Sequence, residues 1–183
     1  MIRTQFSKNR KEQKMVEDKY TKVRRKDRAL TPDEALLIAD KSSYAVLSLS
    51  SVDGTPYGVP INVFRYDNCF YFHCKSNVGR KIDLIKQNNK VSLCFVCFEK
   101  VDEVAFSTDY ASTIVQGTIA EVTDDKEKLN VAVALCQRFA PSQNLDAVKA
   151  TFEKYQKATA FYKITPDFIT GKSRNFAKIT SNS

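Results

Sequence analysis

Six runs of alternating or β-branched residues, each closed by a turn signal, dominate this sequence. They read YAVLSLS from Tyr44, GVPINVFRY from Gly58, CFYFHC from Cys69, KVSLCFVCF from Lys90, STIVQGTIAEVT from Ser112 and ATAFYKITPDFITG from Ala158. A period of two turns successive side chains to opposite faces, so such runs build sheets with one face on a core. Asp53-Gly54 and Asp67-Asn68 supply tight turns, and residues 99–111 read mostly as loop. On this reading the second and third strands form a hairpin. Pro60 sits inside the second run without an N–H to give, which marks an edge, a bulge or a special backbone site.

Helical signals fall between these runs. In TPDEALLIAD, Thr31 is a good N-cap, Pro32 suits the first position, and Asp33 and Glu34 suit the positive end. Its apolar face is Ala35, Leu36, Ile38 and Ala39. SNVGRKIDLIKQNN reads as a helix capped by Ser76 or Asn77, with Val78, Ile82 and Ile85 as its apolar stripe. DDKEKLNVAVALCQRFA is a third helix, stopped by Pro141, and NLDAVKATFEKYQ, capped by Asn144, is a fourth. The order does not alternate strand with helix as a doubly wound fold does. It predicts a mainly β chain with some α: a six-stranded antiparallel barrel with peripheral helices. Glycine-rich dinucleotide and P-loop motifs are absent from the sequence.

Charge divides the chain unevenly. Residues 1–28 carry 11 Lys/Arg and 4 Asp/Glu, whereas the remaining 155 carry 18 and 17. The organisation expected is a basic extension over residues 1–22 and one domain over 23–183. A near-neutral barrel argues against nucleic acid as the partner, although a basic arm can bind polyanions. No apolar run approaches the roughly 20 residues that span a bilayer. The expectation is a cytoplasmic protein without a membrane partner. Cysteines 69, 74, 94, 97 and 136 are then reduced thiols, and LCFVCF reads as a strand, not the tight turn of a zinc CxxC.

The chemistry concentrates between Tyr57 and Phe98. Gly79-Arg80-Lys81 opens a helix, where free N–H groups and the dipole favour an anion. Gly79 permits close backbone approach, Arg80 adds a bidentate fork and Lys81 a point charge. The run YGVPINVFRYDNCFYFHC, then KSN, then VGRKIDLIKQNNKVSLCF resembles the flavin-binding core of the pyridoxamine-phosphate-oxidase-like split barrel. VRRKDRALT, YGVP, YFHC and SxIVQGTIAEVTD resemble its nitroimidazole-resistance branch.

That resemblance covers about residues 23–172, and it implies an FMN-dependent oxidoreductase. Strand residues Gly58, Val59, Pro60, Ile61 and Asn62 would lie along the isoalloxazine. Phe72, His73 and Cys74 would stand near the ribityl chain and phosphate. Val78, Gly79, Arg80 and Lys81 would hold the phosphate, with Gln116 and Lys172 reaching in from near or across a subunit boundary. His73, the sole histidine, would give a proton to a small aromatic acceptor such as a nitroimidazole. A homodimer with flavin at its interface is implied. Tyr57, Phe64, Tyr71 and Phe106 are candidates for the slot, or for core packing. The chain has no Trp, and ITGKSRNF stands where true pyridoxamine-phosphate oxidases carry a terminal arginine pair, which sets vitamin B6 oxidation aside. A flavin- or haem-binding carrier or sensor without turnover is the alternative.

Overall fold

The computed structural model describes residues 22–177. Most of the basic extension, and the remainder of the C-terminus, lie outside the described residues. The strands are β1 (Ala45–Ser50), β2 (Pro56–Ile61), β3 (Phe64–Tyr66), β4 (Cys69–Lys75), β5 (Lys90–Asp102), β6 (Ser107–Glu121) and β7 (Thr159–Arg174). They form one antiparallel sheet in the order β2-β1-β5-β6-β7-β4-β3. The helices are α1 (Pro32–Lys41), α2 (Arg80–Gln87), α3 (Asp125–Phe139) and α4 (Leu145–Tyr155).

The mainly β architecture stands, but among the described residues there are seven strands, not six, and the sheet does not close by hydrogen bonds. GVPINVFRY is two strands. Val63 and Phe64 are consecutive and both buried, at 3% and 5% exposure, so the alternation resets there. Upstream, β2 pairs with β1; downstream, β3 pairs with β4 across Asp67 and Asn68, both at positive φ. The expected hairpin of the second and third strands is therefore two hairpins, at opposite edges of the sheet. Only Asn62 and Val63 separate the two edges, a span of at most about 11 Å. The sheet must roll until its edges stand side by side. No ladder joins β2 to β3 or β4 among the described residues, so a seam remains.

Residues 99–111 are not loop. β5 and β6 continue as a projecting ribbon from Glu99↔Tyr110 to Asp102↔Ser107. Its β5 half, Glu99–Asp102, is exposed throughout, and in its β6 half the buried residue is the charged Asp109, so no apolar alternation betrays it. Where the ribbon leaves the barrel, a bulge between Val96 and Phe98 makes Cys97 the extra residue. Another bulge sets Gln116 and Gly117 against Phe168 and Pro166. Gly117 is needed there, because a Cβ would meet the Thr165 carbonyl oxygen at 2.2 Å.

The interior fills from both strand and helix. Leu47, Leu93, Phe95, Val115, Phe72 and Ile164 point inward, and α2 adds Ile82, Leu84 and Ile85. α1 crosses the inner face of β5, β6 and β7. Its Ala35 packs where Gly171 has no side chain, and its Ala35 carbonyl accepts from the Thr113 hydroxyl at 2.7 Å. The predicted start of α1 is present in full: Thr31 and Glu34 cap each other's N–H groups. Asp124 and Asn144 likewise cap α3 and α4.

Candidate functional site: the seam

Two unpaired edges face the seam. β2 is hydrogen-bonded to β1 alone, which is where Pro60 can be tolerated. β4 is bonded along its length to β7, but β3 reaches only Cys69–Tyr71 and leaves Phe72–Lys75 uncovered. On β2, Gly58 and Pro60 are exposed, as is Asn62 just beyond its end, while Tyr57, Val59 and Ile61 turn inward onto the core. On β4, Phe72 and Cys74 turn inward and His73 turns out.

The turn leaving β4 brings α2 to this place. Asn77 and Gly79 both have positive φ, at 55° and 115°. Gly79 is the N-cap, not Ser76 or Asn77. No side chain caps the helix, because glycine has none to offer, and the Gly79 carbonyl accepts from the Ile82 and Asp83 N–H groups. The first N–H groups of α2, on Arg80 and Lys81, thus have no side-chain acceptor. Val78 is 59% exposed and outside the helix; Leu84 takes its place in the apolar stripe with Ile82 and Ile85. The Arg80 guanidinium lies 4.6 Å from the centroid of the Tyr57 ring, so the cation after β4 reaches across to β2.

Electrostatics reinforce the same corner. Burial pushes the Cys74 thiol up; Lys81 opposes this and Glu121 adds to it. Burial likewise pushes the Tyr162 hydroxyl up to about 12, with Glu121 and Cys74 contributing. Glu121 and Tyr162 are therefore neighbours that the linear motif did not reveal. Glu121 lies 40 residues and Tyr162 81 residues beyond Lys81, and the β4–β7 and β6–β7 pairings return them.

The predicted residues do not all meet. Gly58–Asn62, Phe72–Cys74 and Val78–Lys81 gather around the seam. Gln116 shares the outer face with Gly58, along the row Gly58–Ser48–Ser92–Gln116, but three strands away, about 14 Å. Lys172 lies farther, its ammonium 5.6 Å from the Tyr110 ring centroid. His73 looks outward, exposed at the edge of the layer formed by α3 and α4, not inward with Cys74. Its ring stands 6.1 Å from that of Phe161, and burial of its flank holds its pKa below the ordinary value. It lines a 240 Å³ cavity between the sheet and these helices, which sequence periodicity gave no sign of.

Of the aromatic candidates, Tyr57 belongs to the seam. Phe64 and Tyr71 pack under α3, and Phe106 is 96% exposed at the ribbon tip, outside any slot. The five cysteines are free and half-buried, with Cys69 and Cys74 on opposite faces of β4 as the alternation required. Among the described residues, no helix is long and apolar enough to cross a membrane.

Comparison with known proteins adds a family and a fold. The family model described as pyridoxamine 5'-phosphate oxidase matches residues 31–173. No curated protein matches in sequence. Among solved structures, a candidate 5-nitroimidazole antibiotic resistance protein from Bacteroides thetaiotaomicron superposes with TM-score 0.64 at 21% identity, covering 79% of this chain and 85% of that one. The FAD and haem binding protein from Mycobacterium smegmatis gives 0.65 at 18%, covering 84% and 78%. The flavocytochrome Anf3 from Azotobacter vinelandii gives 0.66 at 17%, covering 85% and 73%.

Proposed function

The chain belongs to the pyridoxamine 5'-phosphate oxidase family, and on that premise we propose that it is an FMN-dependent oxidoreductase acting on small aromatic acceptors, nitroimidazoles among them. The observation that carries this reading is the seam corner: an uncapped helix start, two cations and an apolar strand edge at one spot.

The residues present fit a phosphorylated flavin. A phosphate monoester is an anion with several acceptor oxygens, and the Arg80 and Lys81 N–H groups are donors at the positive end of a helix. A Cβ at Gly79 would meet nothing within 4 Å, so the approach is open; at φ 115° glycine also holds this backbone without strain. Arg80 would exchange its Tyr57 contact, or share it, with the phosphate. The β2 edge offers the exposed Pro60 as an apolar contact, with Val59 and Ile61 half-buried on its inner side, and the unpaired backbone of β2 offers polar groups to a heterocycle rim. Bound FMN would supply the electron transfer itself. His73, on the uncovered edge of β4, would give a proton to the acceptor from its imidazolium form, the form that burial disfavours.

Gln116 and Lys172 would serve a flavin site through a second copy of the chain, since one copy holds them on a face away from the seam. The functional unit proposed is thus a homodimer. The test is to purify the protein, release any chromophore and identify it, then titrate the apoprotein with FMN while following its oligomeric state. Saturable FMN uptake by a dimer is expected, with reduction by a nicotinamide donor and reoxidation by a nitroaromatic. A colourless monomer that ignores FMN, or one that carries only haem, overturns the reading.

A further inference from the structure

The cavity under α3 and α4 lies on the outer face of β4 and shares only His73 with the residues of the flavin reading. Its walls are apolar: Ala132 and Leu135 from α3, Val148 and Phe152 from α4, Phe161 from β7. The Phe152 and Phe161 rings are 6.2 Å apart, and Phe161 and His73 6.1 Å, so three rings in succession line one side. Polar character is confined to a few groups, of which His73 carries both a donor and an acceptor nitrogen. The volume is 240 Å³. A purely apolar cavity of about 150 Å³ takes benzene and stays dry, so this one has room for one fused pair of rings. The cavity opens to solvent past His73, Thr151 and Tyr155, which are exposed, so a ligand can enter without opening the fold.

We propose that this cavity is a binding site for a small planar aromatic molecule with one polar group, its rings against Phe152 and Phe161 and its polar group hydrogen-bonded to His73. Edge-to-face and offset contacts with two phenyl rings favour an aromatic over an aliphatic of the same size. The site lies on the outer face of β4 and β7, whereas the flavin reading concerns the seam. It holds whether or not that reading does.

Indole is a suitable probe, because the chain has no Trp and indole emission then comes from the ligand alone. Titration of indole with the full-length protein is expected to give saturable one-to-one binding and a blue-shifted emission. Thr151 is exposed and lines the cavity, so Thr151→Phe fills the entrance from a position that bears little of the fold. It should weaken indole about tenfold and leave FMN uptake unchanged. Phe152→Leu keeps apolar bulk but removes a ring, and should weaken indole several-fold more than cyclohexanol. Failure of the wild type to bind indole saturably, displacement of indole by FMN, or wild-type affinity in folded Thr151→Phe overturns the proposal. Should Thr151→Phe not fold, unaltered indole affinity in Phe152→Leu does so instead. Indole binding by a protein that takes up no flavin would sink the seam reading and leave this one standing.

Discussion

The outer surface of the sheet has two regions, and they are finished differently. Under α3 and α4, three outward aromatic residues of β3, β4 and β7 are buried, Tyr71 at 2%, Phe161 and Phe64 at 5%, with His73 exposed at the edge. On β2, β1, β5 and β6 the same alternation places Pro60, Val46, Cys94 and Ile114 in one cross-strand row, with Ser48, Ser92 and Gln116 in the next. Among the described residues no helix covers these rows; residues 22–25 reach only their margin by Ser112, Ile114 and Thr170. The first region is completed by the chain's own helices. The second mixes small polar groups with apolar ones, as surfaces do that are covered part of the time by another molecule. The seam lies at the border of the two, which is where a second copy would complete a cofactor site.

The border is tested first, where the largest effect is expected. Arg80→Ala with Lys81→Ala removes two charge-assisted contacts, each of about 1.5–3 kcal/mol. FMN affinity should fall by at least a hundredfold, on the order of 3–6 kcal/mol in all. Both residues are surface groups of α2, so the melting temperature should barely move. Isothermal titration with FMN reads the first quantity and thermal denaturation the second. Unchanged FMN affinity would remove the seam corner from the flavin reading.

The covered region should answer to packing alone. Phe161→Ala takes a ring from beneath α3 and α4 and should destabilise the fold by about 3–5 kcal/mol, measured by urea unfolding. The monomer–dimer balance of the molecules that remain folded should not change. The bare region should do the reverse. Val46 lies mid-face, between Pro60 on β2 and Cys94 on β5. Val46→Glu places a charge there and should weaken dimerisation by about 2 kcal/mol, seen in sedimentation equilibrium, with little loss of monomer stability. A Val46→Glu protein that stays dimeric would show that this face is not the one a second copy covers.

Most of this division was legible in the sequence, because period two and helix capping are local. Thr31, Asp124 and Asn144 mark their helices, and the β runs mark their strands, through contacts within a few residues. The missing seventh strand was not legible in the same way. Val63 and Phe64 break the alternation, but a break of one residue looks like a bulge until the sheet order is known. The anion corner was readable as Gly79-Arg80-Lys81, yet Tyr57 as the partner of Arg80 depends on how far the sheet rolls. His73 shows the limit most clearly. Its position on β4 fixed its face as opposite to Cys74, but which layer covers that face is decided by helices more than fifty residues downstream.

The smallest effect belongs to a polar contact in the covered region. The Tyr71 hydroxyl donates to Glu127 Oε1 at 3.0 Å, and the Lys163 ammonium donates to the same oxygen at 3.0 Å. Burial, with Glu127 adding to it, pushes the Tyr71 hydroxyl up to about 12 from 10.0. The folded protein therefore keeps this proton where the unfolded chain has lost it. The stability that Tyr71 contributes is whole below pH 10 and drains away as pH rises toward 12. Tyr71→Phe should cost about 1 kcal/mol at neutral pH, since Lys163 still pairs with Glu127. Between pH 10 and 12 the variant should lose stability less steeply than the wild type. Some slope must persist, because the hydrogen bond to Glu127 also raises Lys163, so the folded protein keeps that proton across this range while the unfolded chain gives it up from about 10.5. Parallel stability curves for the two proteins over this range would mean that the hydroxyl, though bonded under α3, is as free to ionise as one on the bare face.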